Sequence, residues 1–255
     1  MNRPATRLTV IKALILRDML SRFGRGNLGF FWAILEPIIL ATGVMLIWTI
    51  IQEVNAPGIN LITFVITAYL PLTLSRHLVG PLSRIGHNSV NLFYHRVVTY
   101  ADVLIARVLV EVMSSTLALV FIYFVTVSLG IIRPAYNLPL ALLGWLFTLW
   151  FYSGVGMLTS AWTEAWEPAE KFIQPGMYLA MPLSATFFLV DWAPHWAQQL
   201  LLLNPAVSCY EIFRAGFFGP GITTHYDIPY LTAWSAGLSL AGAAAIYRVR
   251  DRLLS

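Results

Sequence analysis

Leu138 to Trp162 reads LPLALLGWLFTLWFYSGVGMLTSAW, twenty-five residues without an Asp, Glu, Lys, Arg or His. About 20 such residues, at roughly 1.5 Å of rise each, cross a hydrocarbon core about 30 Å thick. In lipid every backbone polar group must find its partner within the segment or its neighbours, so a run of this kind is a helix. Working outward, five further windows have the same character: approximately Leu28–Ile51, Leu61–Pro81, Asp102–Gly130, Phe172–Val190 and Ile228–Tyr247.

Composition agrees. Of the 255 residues 58% are hydrophobic and 11% charged, against roughly 45–50% and 25% in soluble domains. So few charges cannot coat a water-soluble surface. The sequence predicts an all-α, polytopic membrane protein of six transmembrane helices. It divides as a single domain over 1–255: an N-terminal interfacial helix within 1–27, a six-span bundle over 28–247 and a tail over 248–255. There is no extended polar region for a separate soluble catalytic domain. The single cysteine, Cys209, excludes an intramolecular disulfide. Six cations spread through the first 25 residues precede the first apolar run, which therefore reads as a retained span rather than a signal peptide.

Lysines and arginines set the orientation. With the N-terminus inside, the inner segments hold Arg3, Arg7, Lys12, Arg17, Arg22, Arg25, Arg84, Arg96, Lys171, Arg248, Arg250 and Arg252. Arg76 and Arg107 stand near inner span ends, and only Arg133 and Arg214 fall outside. Both termini are thus expected in the cytoplasm. Segment 6–23 reads as an interfacial helix whose long cations reach toward headgroups.

Two connections are unusual. The outer one, Asp191 to Asp227, holds apolar stretches at Trp196–Leu203 and Ala206–Phe218, too short to cross. They are separated by Asn204-Pro205 and closed by Gly219-Pro220-Gly221. Such breaks predict short re-entrant or interfacial helices. The inner one, Arg84 to Ala101, has helix-compatible spacing of polar and aromatic residues, among them His87, Asn88, Asn91, Tyr94, His95 and Arg96. It reads either as a docking element for a cytoplasmic partner or as a solvated connector.

Catalytic readings fail one by one. Gly24 and Gly29 have the first spacing of a phosphate loop, but Phe30 and Phe31 stand where Lys and Ser/Thr belong. His77, His87 and His95 fit no ligand pattern. Ser153 lacks a histidine at its depth to act as base, and with Gly154 and Gly156 it reads as a site of close helix packing. The chain is therefore expected to be no enzyme and to bind no cofactor or metal itself. Arg107 and Glu111, one turn apart in the third window, are expected to pair, since intramembrane charges need partners; a structural clasp is the plainer role. Most of Trp48, Trp145, Trp162, Trp166, Trp192, Trp196 and Trp234 fall near window ends, where an interfacial belt is the default. Trp32 differs, following a cationic stretch one turn before Glu36. An aromatic face beside cations suits acidic sugars. The polar and aromatic residues most able to line a path are Arg22, Arg25, Trp32, Glu36, Tyr69 and Arg76.

Arg22-Phe23-Gly24, Leu28-Gly29 and Trp32-Ala33-Ile34-Leu35-Glu36-Pro37 together resemble the opening signature of type-2 ABC export permeases, specifically the capsular polysaccharide permeases of the KpsM group. The likeness continues at Leu92-Phe93-Tyr94, at Ile105-Ala106-Arg107 with Glu111, at Asn204-Pro205 with Glu211, and at Tyr247-Arg248 with Arg250. The middle loop departs from it: Tyr94-His95-Arg96-Val97-Val98 is less basic and poorer in proline than the family often shows. The resemblance implies a homodimer in the bacterial inner membrane, joined to two copies of a separate cytoplasmic ABC ATPase that binds the ATP and magnesium. Lipid-linked, usually acidic polysaccharide would pass through it to periplasmic and outer-membrane export proteins; nothing points to nucleic acid. Under this reading Arg22, Arg25, Trp32, Glu36, Tyr69 and Arg76 approach the conduit, and His87, Asn88, Asn91, Tyr94, His95 and Arg96 couple to the ATPase. O-antigen, teichoic acid and small-lipid or drug exporters share the architecture. An ATPase-independent carrier or channel is the rival of a different class.

Overall fold

The computed structural model describes residues 7–23, 39, 43, 59–85 and 98–249, with backbone alone at 21–23. The first apolar window, except Ile39 and Gly43, lies outside the described residues. So do the loop 86–97, Arg250, and the path candidates Arg25, Trp32 and Glu36, with the side chain of Arg22.

The described residues form eight α helices and no strand: α1 Arg7–Phe23, α2 Leu61–Leu82, α3 Tyr100–Ser128, α4 Leu138–Ala165, α5 Glu170–Leu183, α6 His195–Leu202, α7 Pro205–Phe218 and α8 Ile228–Val249. Several begin where local chemistry dictates. The first amides of a helix lack intrahelical acceptors, and a preceding Asn or Thr supplies one. Asn60 accepts from Ile62 and Thr63 at 2.9 and 3.1 Å. Asn137 accepts from Leu140 and Asn204 from Ala206. Thr99 and Asp102 cap each other's backbone in a reciprocal box at the start of α3.

Among the described residues three helices, α2, α3 and α4, are both long and apolar enough to cross a membrane. α8 has the length, at 22 residues, but is diluted by Ala, Gly, Ser and Thr. The window Phe172–Val190 is not one continuous helix. α5 has 14 residues, about 21 Å at 1.5 Å each, and stops at Leu183. Pro175 and Pro182 each withhold an amide donor. Two residues past the end, Ala185 has a positive φ of 52°, which turns the chain away from the helix axis.

α4 is the hub. Thr163 donates to the Ser83 carbonyl at 2.8 Å, joining its lower end to that of α2. Tyr100 and Ser160 hydroxyls meet at 2.6 Å, and Trp145 Nε1 donates to Thr116 at 3.1 Å, joining it to α3 at two depths. Trp150 Nε1 donates to Ser239 on α8. Tyr100 with Ser160 and Thr116 with Trp145 run in opposite order, so α3 is antiparallel to α4; Gly156 at Leu78 with Thr163 at Ser83, and Trp150 at Ser239 with Met157 at Gly242, rise together, so α2 and α8 run parallel to it. Lipid offers apolar side chains no reason to leave it, so close backbone approach through small residues holds such helices together. A Cβ on Gly144 would stand 2.5 Å from the Phe213 nitrogen, and one on Gly216 would overlap Ala141; α7 therefore lies directly against the first half of α4. Gly154 and Gly156 likewise face α8 and α2, as their packing role required.

The two short apolar stretches of the Asp191–Asp227 connection are helices, α6 and α7, broken at Asn204-Pro205 as expected. Every α7 residue from Pro205 to Phe217 is buried. Trp145 corrects the belt expectation: it is buried at 2% exposure in the core with Phe147, Phe151 and Phe213. It lies seven residues inside α4, and its indole nitrogen finds its acceptor on α3 rather than at a headgroup.

Candidate functional site

Tyr69 and Arg76 are the path candidates among the described residues. Seven residues apart, they share one stripe of α2. Both are half-buried, and both face the α5 limb. The Tyr69 ring lies 5.8 Å from that of Phe187, and the Arg76 guanidinium sits 4.6 Å over the Tyr178 ring. A cation in a bundle of low polarity is stabilised by such a ring face. The stripe thus carries one cation and an aromatic ledge.

Arg107 stands 3.9 Å from Glu111, its neighbour one turn on, but its short contact is elsewhere: Nη1 donates to Asp18 of α1 at 2.6 Å. Asp18 and Glu111 are both buried. α1 lies along α3, with Val10, Ile11, Leu14 and Ile15 meeting Tyr100, Val103, Leu104 and Ala106. The Asp18–Arg107 bond fastens the charged side of that seam. A helix read as interfacial is thereby tied to a spanning helix.

The third constellation surrounds Arg214. Its side chain is completely buried. Nη1 donates to the carbonyls of Ala185 and Phe188 at 2.9 Å each, and Nη2 donates to that of Thr186. Its Cζ lies 4.8 Å from the Phe64 ring centroid, and Glu211, one turn earlier, approaches Nη1 at 3.6 Å. Glu211 also accepts the His225 amide at 3.0 Å. Asn204, which caps α7, donates its side-chain amide to the Leu183 carbonyl. A helix ending inside a bundle exposes carbonyls that water would otherwise satisfy. Here Asn204 meets the last carbonyl of α5, and Arg214 of α7 meets three more in the turn beyond it. This is how α5 can stop where it does.

The chain matches the model of the ABC-2 type transporters over residues 9–218. It belongs to that family. It is 33% identical over 243 residues to the capsule polysaccharide export inner-membrane protein CtrC of Neisseria meningitidis serogroup A, covering 94% of this chain and 90% of that one. It is 29% identical over 242 residues to BexB of Haemophilus influenzae, of the same description, covering 93% and 89%. The polysialic acid transport protein KpsM of Escherichia coli is 24% identical over 248 residues, covering 96% and 94%. This ABC-2 chain is thus a membrane transport component of multi-pass, apolar helical build.

Of the sequence-derived sites, the structure places Tyr69 with Arg76, and Arg107 with Glu111. The segment carrying His87, Asn88, Asn91, Tyr94, His95 and Arg96 lies outside the described residues. Sequence reasoning missed the partners. Asp18 was visible as the lone carboxylate among the first six cations, and Arg214 as a cation one turn after Glu211 in an otherwise apolar helix. Neither pairing is local enough to read along the chain.

Proposed function

We propose that this chain is the membrane-spanning permease subunit of an ATP-driven exporter that moves lipid-linked, acidic capsular polysaccharide across the bacterial inner membrane. The observation that carries the reading is the family match over 9–218, joined to relatives named for capsule polysaccharide export that align with over 90% of the chain. The subunit acts as a six-span homodimer with both termini cytoplasmic. Two copies of a separate ABC ATPase bind the ATP and magnesium, and periplasmic and outer-membrane proteins receive the polymer.

Cytoplasmic docking falls to the 86–97 segment, through His87, Asn88, Asn91, Tyr94, His95 and Arg96. The conduit runs past Arg22, Arg25, Trp32, Glu36, Tyr69 and Arg76. An acidic polymer must be held weakly enough to slide, so several dispersed contacts serve better than one tight site. Each cation at a wet mouth contributes about 1 kcal/mol or less. The Arg76–Tyr178 stack and the Tyr69–Phe187 pair support the α2 part of this path, since they keep a cation and aromatic edges on one stripe.

Deletion of the gene, followed by complementation, tests the cargo: surface polysaccharide should vanish and return. Complementation with Trp32→Ala, Arg76→Ala should insert and dimerise but export poorly. Normal export by that assembled double variant would show the conduit to lie elsewhere. A cysteine at Asn88 should be shielded from external labelling in intact cells; reaction there would overturn the orientation.

A further inference from the structure

α4 passes into α5 through a tightly closed turn. The Trp166 amide donates to the Trp162 carbonyl, and the Ala169 amide to that of Trp166, each at 2.9 Å. Ala169 and Ile173 are buried, and the side chains around them turn outward. Trp162, Trp166 and Phe172 are each about half exposed. Their rings form a row: Trp162 lies 6.2 Å from Trp166, and Trp166 stacks on Phe172 at 5.9 Å with 15° between the planes. The residues interleaved with this row and following it line an open cleft of about 360 Å³: Glu167, Pro168, Glu170, Lys171 and Gln174, with Arg84 from just beyond α2. Arg84 meets Glu170 at 2.8 Å and ties the two sides together. α7 covers the first half of α4, whereas this cleft opens beyond its last turn.

The chemistry of the lining limits what the cleft can take. Every lining residue but Pro168 is polar, in a chain with 11% charged residues, so the cleft is no continuation of a lipid-facing surface. Arg84 and Lys171 stand against Glu167 and Glu170, two charges of each sign, and Arg84 is already joined to Glu170. A bare anion finds no surplus of cations there. Carboxylates accept, the ammonium and guanidinium donate, and Gln174 does both. Hydroxyl groups, which donate and accept at once, satisfy such a mixture. Exposed ring faces beside them suit the C–H face of a sugar. The volume falls at the low end of the roughly 300–1,000 Å³ of small-molecule sites, room for a short stretch of sugar chain. An interfacial belt accounts for exposed tryptophans but not for the charged cleft next to them. We infer that the α4–α5 turn is a carbohydrate subsite at the cytoplasmic mouth. Trp166 and Phe172 stack on a sugar ring of the polymer, and Glu167, Lys171 and Gln174 hold its hydroxyls. The inference rests on the reading of the chain as a polysaccharide exporter.

The test uses the full permease with its ATPase in lipid nanodiscs. The probes are oligosaccharides made by partial hydrolysis of the producing strain's surface polysaccharide, with inorganic phosphate for comparison. Trp166→Ala should weaken oligosaccharide binding about five- to tenfold, and Trp166→Phe, which keeps a ring, no more than about twofold. Lys171→Ala and Gln174→Leu, each removing a hydrogen-bonding group, should weaken it about three- to tenfold. Phosphate should not displace the oligosaccharide. Unchanged affinity in assembled Trp166→Ala and Gln174→Leu would overturn the inference and leave the rings as a belt. Phosphate that displaces the oligosaccharide at comparable concentration would overturn it in favour of an anion site. So would the absence of oligosaccharide binding by the unaltered complex. Should Trp166→Ala fail to insert, Lys171→Ala and Gln174→Leu, both at exposed positions, decide. Surface polysaccharide that persists after deletion of the gene removes the export reading and the subsite together. Unaltered binding by the variants, with export abolished by the deletion, removes the subsite alone.

Discussion

α4 and α5 are consecutive in the chain and opposite in construction. α4 is gripped on several sides, with glycines brought against α2, α7 and α8 and a tryptophan sunk among phenylalanines. α5 has Gly176 open to space, a single buried residue, and attachments made by side-chain tips along one face and at its upper end. Backbone-to-backbone packing has one geometry and fails when a methyl group is added. Tip-to-tip contacts hold a helix in place while leaving the body beneath it intact. The difference teaches that the bundle has a closely packed part, α4 with α7 and α8, and a limb fastened to it by side-chain tips.

Breaking the latch between the two should have the largest effect. Arg214→Met leaves carbonyls without donors and Glu211 without its cation, at about 3–5 kcal/mol. The expected outcome is low membrane abundance and a lowered Tm of the purified subunit. Adding Glu211→Leu should return part of the loss by removing the stranded charge.

Two glycine substitutions sharpen the contrast directly. Gly216→Ala pushes α7 off Ala141 and should cost about 1–3 kcal/mol as an overpacked contact. Gly176→Ala meets nothing within 4 Å and should be neutral or stabilising by up to about 1 kcal/mol through helix propensity. Equal Tm shifts for the two would erase the distinction between hub and limb.

The peripheral α1 offers a third comparison. Asp18→Asn weakens the bond to Arg107 by about 1.5 kcal/mol, the low end for hydrogen bonds to charged groups. α1 should become accessible to protease while α2 to α8 stay protected. Smallest is Arg76→Ala, at about 1 kcal/mol or less for a partly exposed cation over a ring. It should leave Tm almost unchanged and be detected in export.

Helix positions were legible because their causes are local. The apolar windows opening at Leu61, Asp102 and Leu138 begin within two residues of α2, α3 and α4, and the break at Asn204-Pro205 needs no tertiary information. The end of α5 was not legible. Its window stays apolar through Val190, and an average over such a window cannot register that the carbonyls past Leu183 find their donor in Arg214 of α7, 26 to 29 residues away. Trp145 was misplaced for a related reason: its distance from the window end suggested a belt, while its acceptor lies on α3. Of the candidate site, Tyr69 and Arg76 could be chosen as costly residues in apolar surroundings, but Tyr178 and Phe187, which cover them, could not.

What the sequence determined by itself is the class of molecule: too few charges for water and windows long enough to span lipid. Those follow from transfer energies that each residue carries wherever it sits. Tertiary structure alone decided which apolar window stops short, that Arg214 is fully buried, and that Arg107 reaches for Asp18. Each depends on a donor or charge meeting its partner across space. In a membrane that meeting decides whether a polar group can be buried at all.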